Sequence, residues 1–224
     1  VKVMAYEEAV EFFRDKIPMT SAEYEALVAE VGEYADSLAF TVSRIASADL
    51  LQDLHGEVLK FIEEGKTFFD FRDGIDEIMA RRGWKGMAPY RLDNIFRTNI
   101  QTAYNAGRHK QKKAIADRRP YWEYDAVNDT HTRKSHLAHD GKIYRHDHSF
   151  WDTWYPPNGY RCRCRVNSLS AKEMKEEGLK EEMQETGLQP DPGFGHNPAE
   201  QRWRPDPEKY DPRLRSQLED WIWD

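Results

Sequence analysis

At 224 residues with a formal charge of −7, 39% hydrophobic and 33% charged residues, the chain is long enough for one or two domains and too acidic for a uniformly basic nucleic-acid binder. Its 12% aromatic content, with seven Trp included, argues against wholesale disorder, because each such side chain buries a large area. No stretch approaches the roughly 20 apolar residues of a membrane span, so no membrane anchor is expected; no secretory leader is visible, and the opening Val1 reads as a trimmed or incomplete product.

The first 88 residues read as helical. Glu7 to Lys16 sets Ala9, Val10, Phe12 and Phe13 on one side of a short helix that stops before Pro18. Thr20 and Glu23 have capping-box spacing. Apolar residues then recur every three or four positions from Tyr24 through Leu27, Val28, Val31, Tyr34, Ala35, Leu38 and Val42, which predicts one continued helix. Ala48 to Glu64 gives the next helix, with Gly65 as its C-cap. Thr67 opens another, carrying Phe68, Phe71, Ile75, Ile78 and Met79 and closed by Gly83. The pattern predicts a bundle or an extended helical arm over residues 1–88.

Pro89 starts a long helix with Leu92, Ile95, Phe96, Ile100, Ala103, Tyr104 and Ala114 at core-facing spacing. Its far end gathers Arg108, His109, Lys110, Lys112, Lys113, Arg118 and Arg119. Cations there complement the helix macrodipole, or they form a site for nucleic-acid phosphate or an acidic partner. Beyond Pro120 the period shortens. Tyr121 to Val127 alternates as a strand, Gly141 turns into a second at Ile143-Tyr144, and Pro156-Pro157-Asn158-Gly159 turns into Tyr160 to Val166, a strict alternation read as a third. Residues 89–169 therefore read as a small α+β module with a short antiparallel sheet. Residues 170–224 open with the capping-box pair Ser170 and Glu173 before an acidic helix, then become Pro-rich and extended. From Ala171 to Asp224 eight Lys/Arg stand against fourteen Asp/Glu, so this last quarter carries nearly all of the net negative charge. Trp203, Trp221, Ile222 and Trp223 are expected to pin this wrapping tail. The chain shows no internal repeat.

Chemistry-bearing residues concentrate between Asp129 and Val166. In a strand, Cys162 and Cys164 share one face, while Arg161, Arg163 and Arg165 share the other. Two cysteines exclude a disulfide scaffold and indicate a reducing compartment. Thiolate and imidazole are zinc's preferred ligands, and His136 with His139 or Asp140 would complete a set with the two thiols. Two other readings stand beside this one: both cysteines as small buried apolar groups, or His136 locked to Asp129 or Asp140 by a hydrogen bond. A catalytic role would make His136 a general base oriented by Asp129 or Asp140. The chain has no nucleophile elbow, P-loop, dinucleotide fingerprint or H-E-x-x-H. The three arginines either blunt a sheet edge and pair with the acidic tail, or extend the cationic patch toward a nucleic-acid backbone.

Taken in order, Arg97-Thr98-Asn99, Ala103-Tyr104-Asn105-Ala106-Gly107-Arg108, Arg119-Pro120-Tyr121-Trp122-Glu123-Tyr124, Asp129 with Thr132-Arg133 and His136, Asp140-Gly141, Phe150-Trp151, Pro156-Pro157-Asn158-Gly159 and Cys162-Arg163-Cys164 form a set that resembles the phage Mu F-like family of head morphogenesis (minor head) proteins. Ala39-Phe40-Thr41-Val42, Gly65-Lys66-Thr67-Phe68 and Gly83-Trp84 extend the likeness upstream. The resemblance implies a minor capsid component of a tailed phage or prophage. Such a protein is made in the host cytoplasm, enters the procapsid in few copies and acts inside the head. Portal, capsid or scaffold proteins are its implied partners, with double-stranded DNA as a further contact. No established catalytic activity comes with the resemblance, so a building part and not an enzyme is expected. The rival is a metal-dependent hydrolase or nuclease using His136 and Asp140. The family's recurrent His and Cys positions match His136, Cys162 and Cys164, which favours a structural zinc and leaves its fourth ligand open. Asp129, Arg133, His136, Gly141, Asn158 and Gly159 are the matching structural positions.

Overall fold

The computed structural model describes residues 6–32, 35–42, 45 and 47–200. Its first part is a helical body: α1 (Glu7–Arg14), β1 (Ile17–Pro18), α2 (Ser21–Val31), α3 (Ala35–Leu38), β2 (Ala39–Phe40), α4 (Ala48–Glu64), α5 (Phe68–Arg81) and α6 (Pro89–Ala114). Local chemistry sets the boundaries. Thr20 and Thr67 each close a reciprocal capping box, with Glu23 and Asp70 respectively. Ser47 caps α4, and Gly65 ends it in the left-handed conformation at φ 63°. The apolar stripes of α1, α4 and α5 meet in a core in which Phe13, Leu50, Leu51, Val58 and Phe71 are wholly buried. His55 lies inside it, stacked on Phe13 at 4.8 Å with Nε2 3.0 Å from the Phe13 carbonyl oxygen. Burial lowers its pKa, which favours a neutral ring at that contact.

The continued helix expected from Tyr24 to Val42 is broken. Gly32 ends α2 at φ 65°, and Ala39–Phe40 leaves the helical path to pair in parallel with Ile17–Pro18. The pairing is rewarded by packing: Phe40 is 2% exposed, edge-on to Phe13 at 5.7 Å and to His55 at 5.4 Å. A continued helix would follow the 3.6-residue period while losing that insertion.

With the sheet that follows, the chain is α+β, the class expected. β3 (Tyr121–Asp125) is flanked by β4 (Ile143–Arg145) and β5 (Arg165–Leu169) in an antiparallel sheet of order β4-β3-β5. The short helices α7 (Lys134–Leu137), α8 (Phe150–Trp154) and α9 (Ala171–Glu176) surround it. Alternation along β3 sends Trp122 and Tyr124 inward, with Trp122 opposite Tyr144 and Tyr124 opposite Val166. They join Phe150, Trp151, Trp154 and Tyr155 in a second, aromatic core. The third strand starts later than its alternation predicts. Arg161 sits at φ 59° and the Cys162 N–H donates to the Gly159 carbonyl at 3.1 Å, so the chain is still turning there and joins the ladder only at Arg165. Burial nevertheless alternates through the turn, with Cys162 and Cys164 inside and Arg161, Arg163 and Arg165 outside.

The described tail wraps this module. Glu182 N–H donates to the Ile143 carbonyl at 2.7 Å, covering the exposed edge of β4. Trp154 Nε1 donates to the Leu188 carbonyl, and the Tyr144 hydroxyl to that of Gln184. The other edge is capped by Arg119, whose guanidinium donates to the Ser168 carbonyl on β5. Trp203, Trp221, Ile222 and Trp223 lie outside the described residues. Among the described residues no helix is long and apolar enough to cross a membrane.

Phe71→Ala should destabilise the chain by about 3–5 kcal/mol, through lost burial plus the cavity left behind. Thr67→Ala, which removes only the cap, should cost about 1 kcal/mol. Urea denaturation followed by far-UV circular dichroism ranks the two; equal costs would contradict this account of the core.

Candidate functional site

The site is assembled from two short pieces of the aromatic module. α7 delivers His136, which is 1% exposed. The turn after Gly159 delivers Cys162 and Cys164, both buried and free. His136 Nδ1 lies 3.5 Å from Cys164 Sγ and 3.8 Å from Cys162 Sγ. One donor atom from each of the three residues falls within 4.8 Å of the others. The Trp154 ring stands edge-on to the imidazole at 6.0 Å, and Nε2 of that imidazole is buried with no hydrogen-bond partner among the described residues. The two thiols bias each other. A hydrogen bond with Cys164 pulls the Cys162 pKa down to about 7 against the effect of burial. The same contact, with burial, pushes Cys164 above the ordinary thiol range.

Asp140, expected beside His136 as a ligand or an orienter, stands elsewhere: its Oδ1 accepts from the Ala126 N–H at 2.9 Å. Asp129 is likewise committed away from His136. It takes a two-pronged guanidinium contact from Arg163 at 2.7 and 2.6 Å and accepts from the His131 N–H. Arg163 holds the Asp129 carboxyl well below the usual carboxylate range. His139 is wholly buried against Trp154 at 4.0 Å, with Nε2 3.2 Å from the Thr186 hydroxyl. Burial pushes its pKa down to about 4.

The remaining motif residues hold the turn that carries the thiols. The Tyr124 hydroxyl donates to Asn158 Oδ1 at 2.9 Å in the interior. Arg133 donates to the Tyr160 carbonyl and pairs with Asp191 at 2.8 Å. Gly159 makes room for that pair: a Cβ there would sit 2.4 Å from Asp191 Oδ2 and 3.1 Å from Arg133 Cζ. Gly141, at φ 71°, donates its N–H to the Tyr124 carbonyl.

Five of the seven cationic candidates are drawn into internal contacts. Arg161 pairs with Asp93, Arg163 with Asp129, and Arg165 with Asp125. Their partners are therefore aspartates of α6, β3 and the following loop, where the sequence reading placed the acidic tail. Lys110 pairs with Glu11 of α1, and Lys113 with Glu200 of the tail, both within 3 Å. Burial lowers Lys112 to about 8, and Arg108 is exposed. A second polar cluster, with no spacing motif to announce it, lies beside a cavity of about 420 Å³ between the helical body and the tail. There the Tyr24 hydroxyl donates to Asp36 Oδ1, Lys16 donates to the Asp36 carbonyl, and His196 Nε2 lies 3.4 Å from Asp36 Oδ2. The basic residue two positions before Pro18 was the available clue; burial lowers Lys16 to about 8.

Residues 52–167 match the family described as Phage Mu protein F like protein. The chain is 38% identical over 189 residues to "Putative capsid assembly protein F" of Escherichia phage Mu, covering 77% of this chain and 42% of that protein. It is 40% identical over 160 residues to the Mu-like prophage FluMu F protein of Haemophilus influenzae, covering 66% and 39%. The chain thus spans about two fifths of the length of these curated relatives. No solved structure matches it.

Two outcomes follow from the tail contacts. The His109 imidazole and then the Lys113 ammonium hold the Glu200 carboxyl down to about 2, against an ordinary 4.5. A depressed carboxylate stabilises the fold above its unfolded pKa, so this anchor should be intact above about pH 4.5 and lost as pH falls toward about 2. Hydrogen exchange of residues 182–200 should report that loss, and Glu200→Gln should show it already at neutral pH. Gly159→Ala should displace the Arg133–Asp191 pair at a cost of roughly 1–3 kcal/mol and speed proteolysis of the tail.

Proposed function

The chain belongs to the phage Mu protein F-like family, and from that membership we propose that it is a minor head component of a tailed phage or prophage. In this reading it assembles within the procapsid, against portal, shell or scaffold protein, and works as a building part. The observation that carries the reading is where the motif side chains go. Asp129, Arg133, Asp140, Asn158 and Gly159 hold strands, turn and tail in place. They support one another, and no substrate is needed to explain them.

Partner protein fits the exposed surface better than DNA does. Trp84, in the α5–α6 connection, and Tyr90, in the first turn of α6, are 46% and 70% exposed. Aromatic side chains of this kind are enriched where proteins meet. The cationic end of α6 already faces carboxylates of α1 and the tail, so phosphate would have to displace them.

Co-expression with the portal, scaffold and shell proteins of one phage, followed by capture and procapsid purification, tests the reading. The chain should co-purify with at least one of them. Trp84→Ala with Tyr90→Ala should weaken that association about tenfold or more while leaving the circular dichroism unchanged. Reversing Lys110 and Lys113 to Glu should leave the salt dependence of any DNA binding unchanged. A loss of about two units of slope would instead assign two phosphate contacts to them.

A further inference from the structure

We propose that His136 Nδ1, Cys162 Sγ and Cys164 Sγ are three ligands of one structural zinc ion that staples the turn carrying the thiols to α7. The inference stands on geometry and does not depend on the head-assembly reading. Zinc takes sulfur at about 2.3 Å and imidazole nitrogen at about 2.0–2.1 Å in a tetrahedron, which sets a nitrogen–sulfur edge of about 3.5 Å. The two edges here are 3.5 and 3.8 Å, both from the same ring nitrogen. All three residues are at most 5% exposed, and the donors come from chain segments 26 and 28 residues apart. Nothing in the ordinary packing of small apolar cysteines requires an imidazole nitrogen aimed between them.

Among the described residues the ring has no other polar anchor. Nε2 of His136 is buried without a partner among the described residues, so hydrogen bonding on that side does not explain why a histidine occupies the position. Charge balance supports a divalent cation as well. Two thiolates and a neutral imidazole around Zn²⁺ sum to zero, so the filled site is a neutral group suited to a dry interior. Binding releases two thiol protons to solvent, and the metal keeps its oxidation state. Three donors are assigned from the described residues, and the fourth position is not assigned to any of them. Asp140 is occupied at the Ala126 N–H and stands outside the three-residue group, as His139 does. Wholly buried Tyr124 is hydrogen-bonded to Asn158.

The full chain, purified under reducing conditions and reconstituted with zinc alone, should carry one ion per molecule by elemental analysis. Cobalt in its place should give a sulfur-to-metal charge-transfer band together with the strong visible bands of a tetrahedral site. Cys162→Ser, Cys164→Ser and His136→Ala should each lower zinc affinity at least about 100-fold, beyond the usual effect of removing a neighbour that only orients a ligand. Asp140→Asn and His139→Ala should keep both stoichiometry and spectrum. Chelator should lower the melting temperature of the wild-type chain and leave a folded Cys162→Ser/Cys164→Ser variant unmoved, a comparison that holds even where one single variant unfolds. A reconstituted, folded chain without zinc, or with its thiols oxidised to one another, would overturn the proposal. So would a cobalt spectrum unchanged by His136→Ala.

Discussion

Helix α6 must satisfy two cores at once, and the rest of the molecule is arranged around that requirement. Its 26 residues run for about 39 Å at 1.5 Å per residue, too far for one small core to cover. The first half puts Leu92, Ile95 and Phe96 among α4 and α5, where Phe96 meets Phe61 at 4.5 Å. The second half turns His109 toward the aromatic core, 5.3 Å from Trp122 and 4.8 Å from Tyr155. Between them Gly107 lets α1 come close, since a Cβ there would lie 2.9 Å from the Ala9 nitrogen. Gln101 then donates to the Cys164 carbonyl at 2.8 Å, tying the thiol turn to the same helix. A shift of α6 along its axis would disturb both cores and the turn together.

Charge pairing settles the register of what the helix carries. Arg161, Arg163 and Arg165 leave the chain on one side and find Asp93 of α6, Asp129 of the loop and Asp125 of β3. Exposed pairs of this kind add about 0–1 kcal/mol each, little beside the burial of Trp122, Tyr124 and Trp151. Their value is directional: once the guanidiniums are fixed outward, the alternate side chains Cys162 and Cys164 point inward to His136. The tail acts likewise on the other side, covering β4 with Glu182 and pairing Asp191 with Arg133.

Much of this was readable in the residues. Capping boxes at Thr20 and Ser170, the helix start at Thr67, the αL glycine at Gly65 and the alternation of β3 are local signals, and each lies where its chemistry requires. The exceptions have a common cause. Val31 to Val42 keeps a helical period, yet Phe40 gains more by entering the core beside Phe13. Tyr160 to Cys164 keeps a strand period, yet the turn at Arg161 delays pairing until Arg165. Period describes which side chains are apolar; it does not say which neighbour receives them.

The sequence alone determined the α+β class, the order of the main helices and strands, the family likeness and the donor types at His136, Cys162 and Cys164. These depend on side-chain chemistry and near-neighbour spacing, which the chain carries wherever it goes. Tertiary structure alone decided that Asp129 meets Arg163 and Asp140 meets the Ala126 N–H while neither reaches His136. It also decided that Lys16, Asp36 and His196 gather beside one cavity. Such pairings join residues far apart along the chain, and their distances are set by how two cores close around one helix.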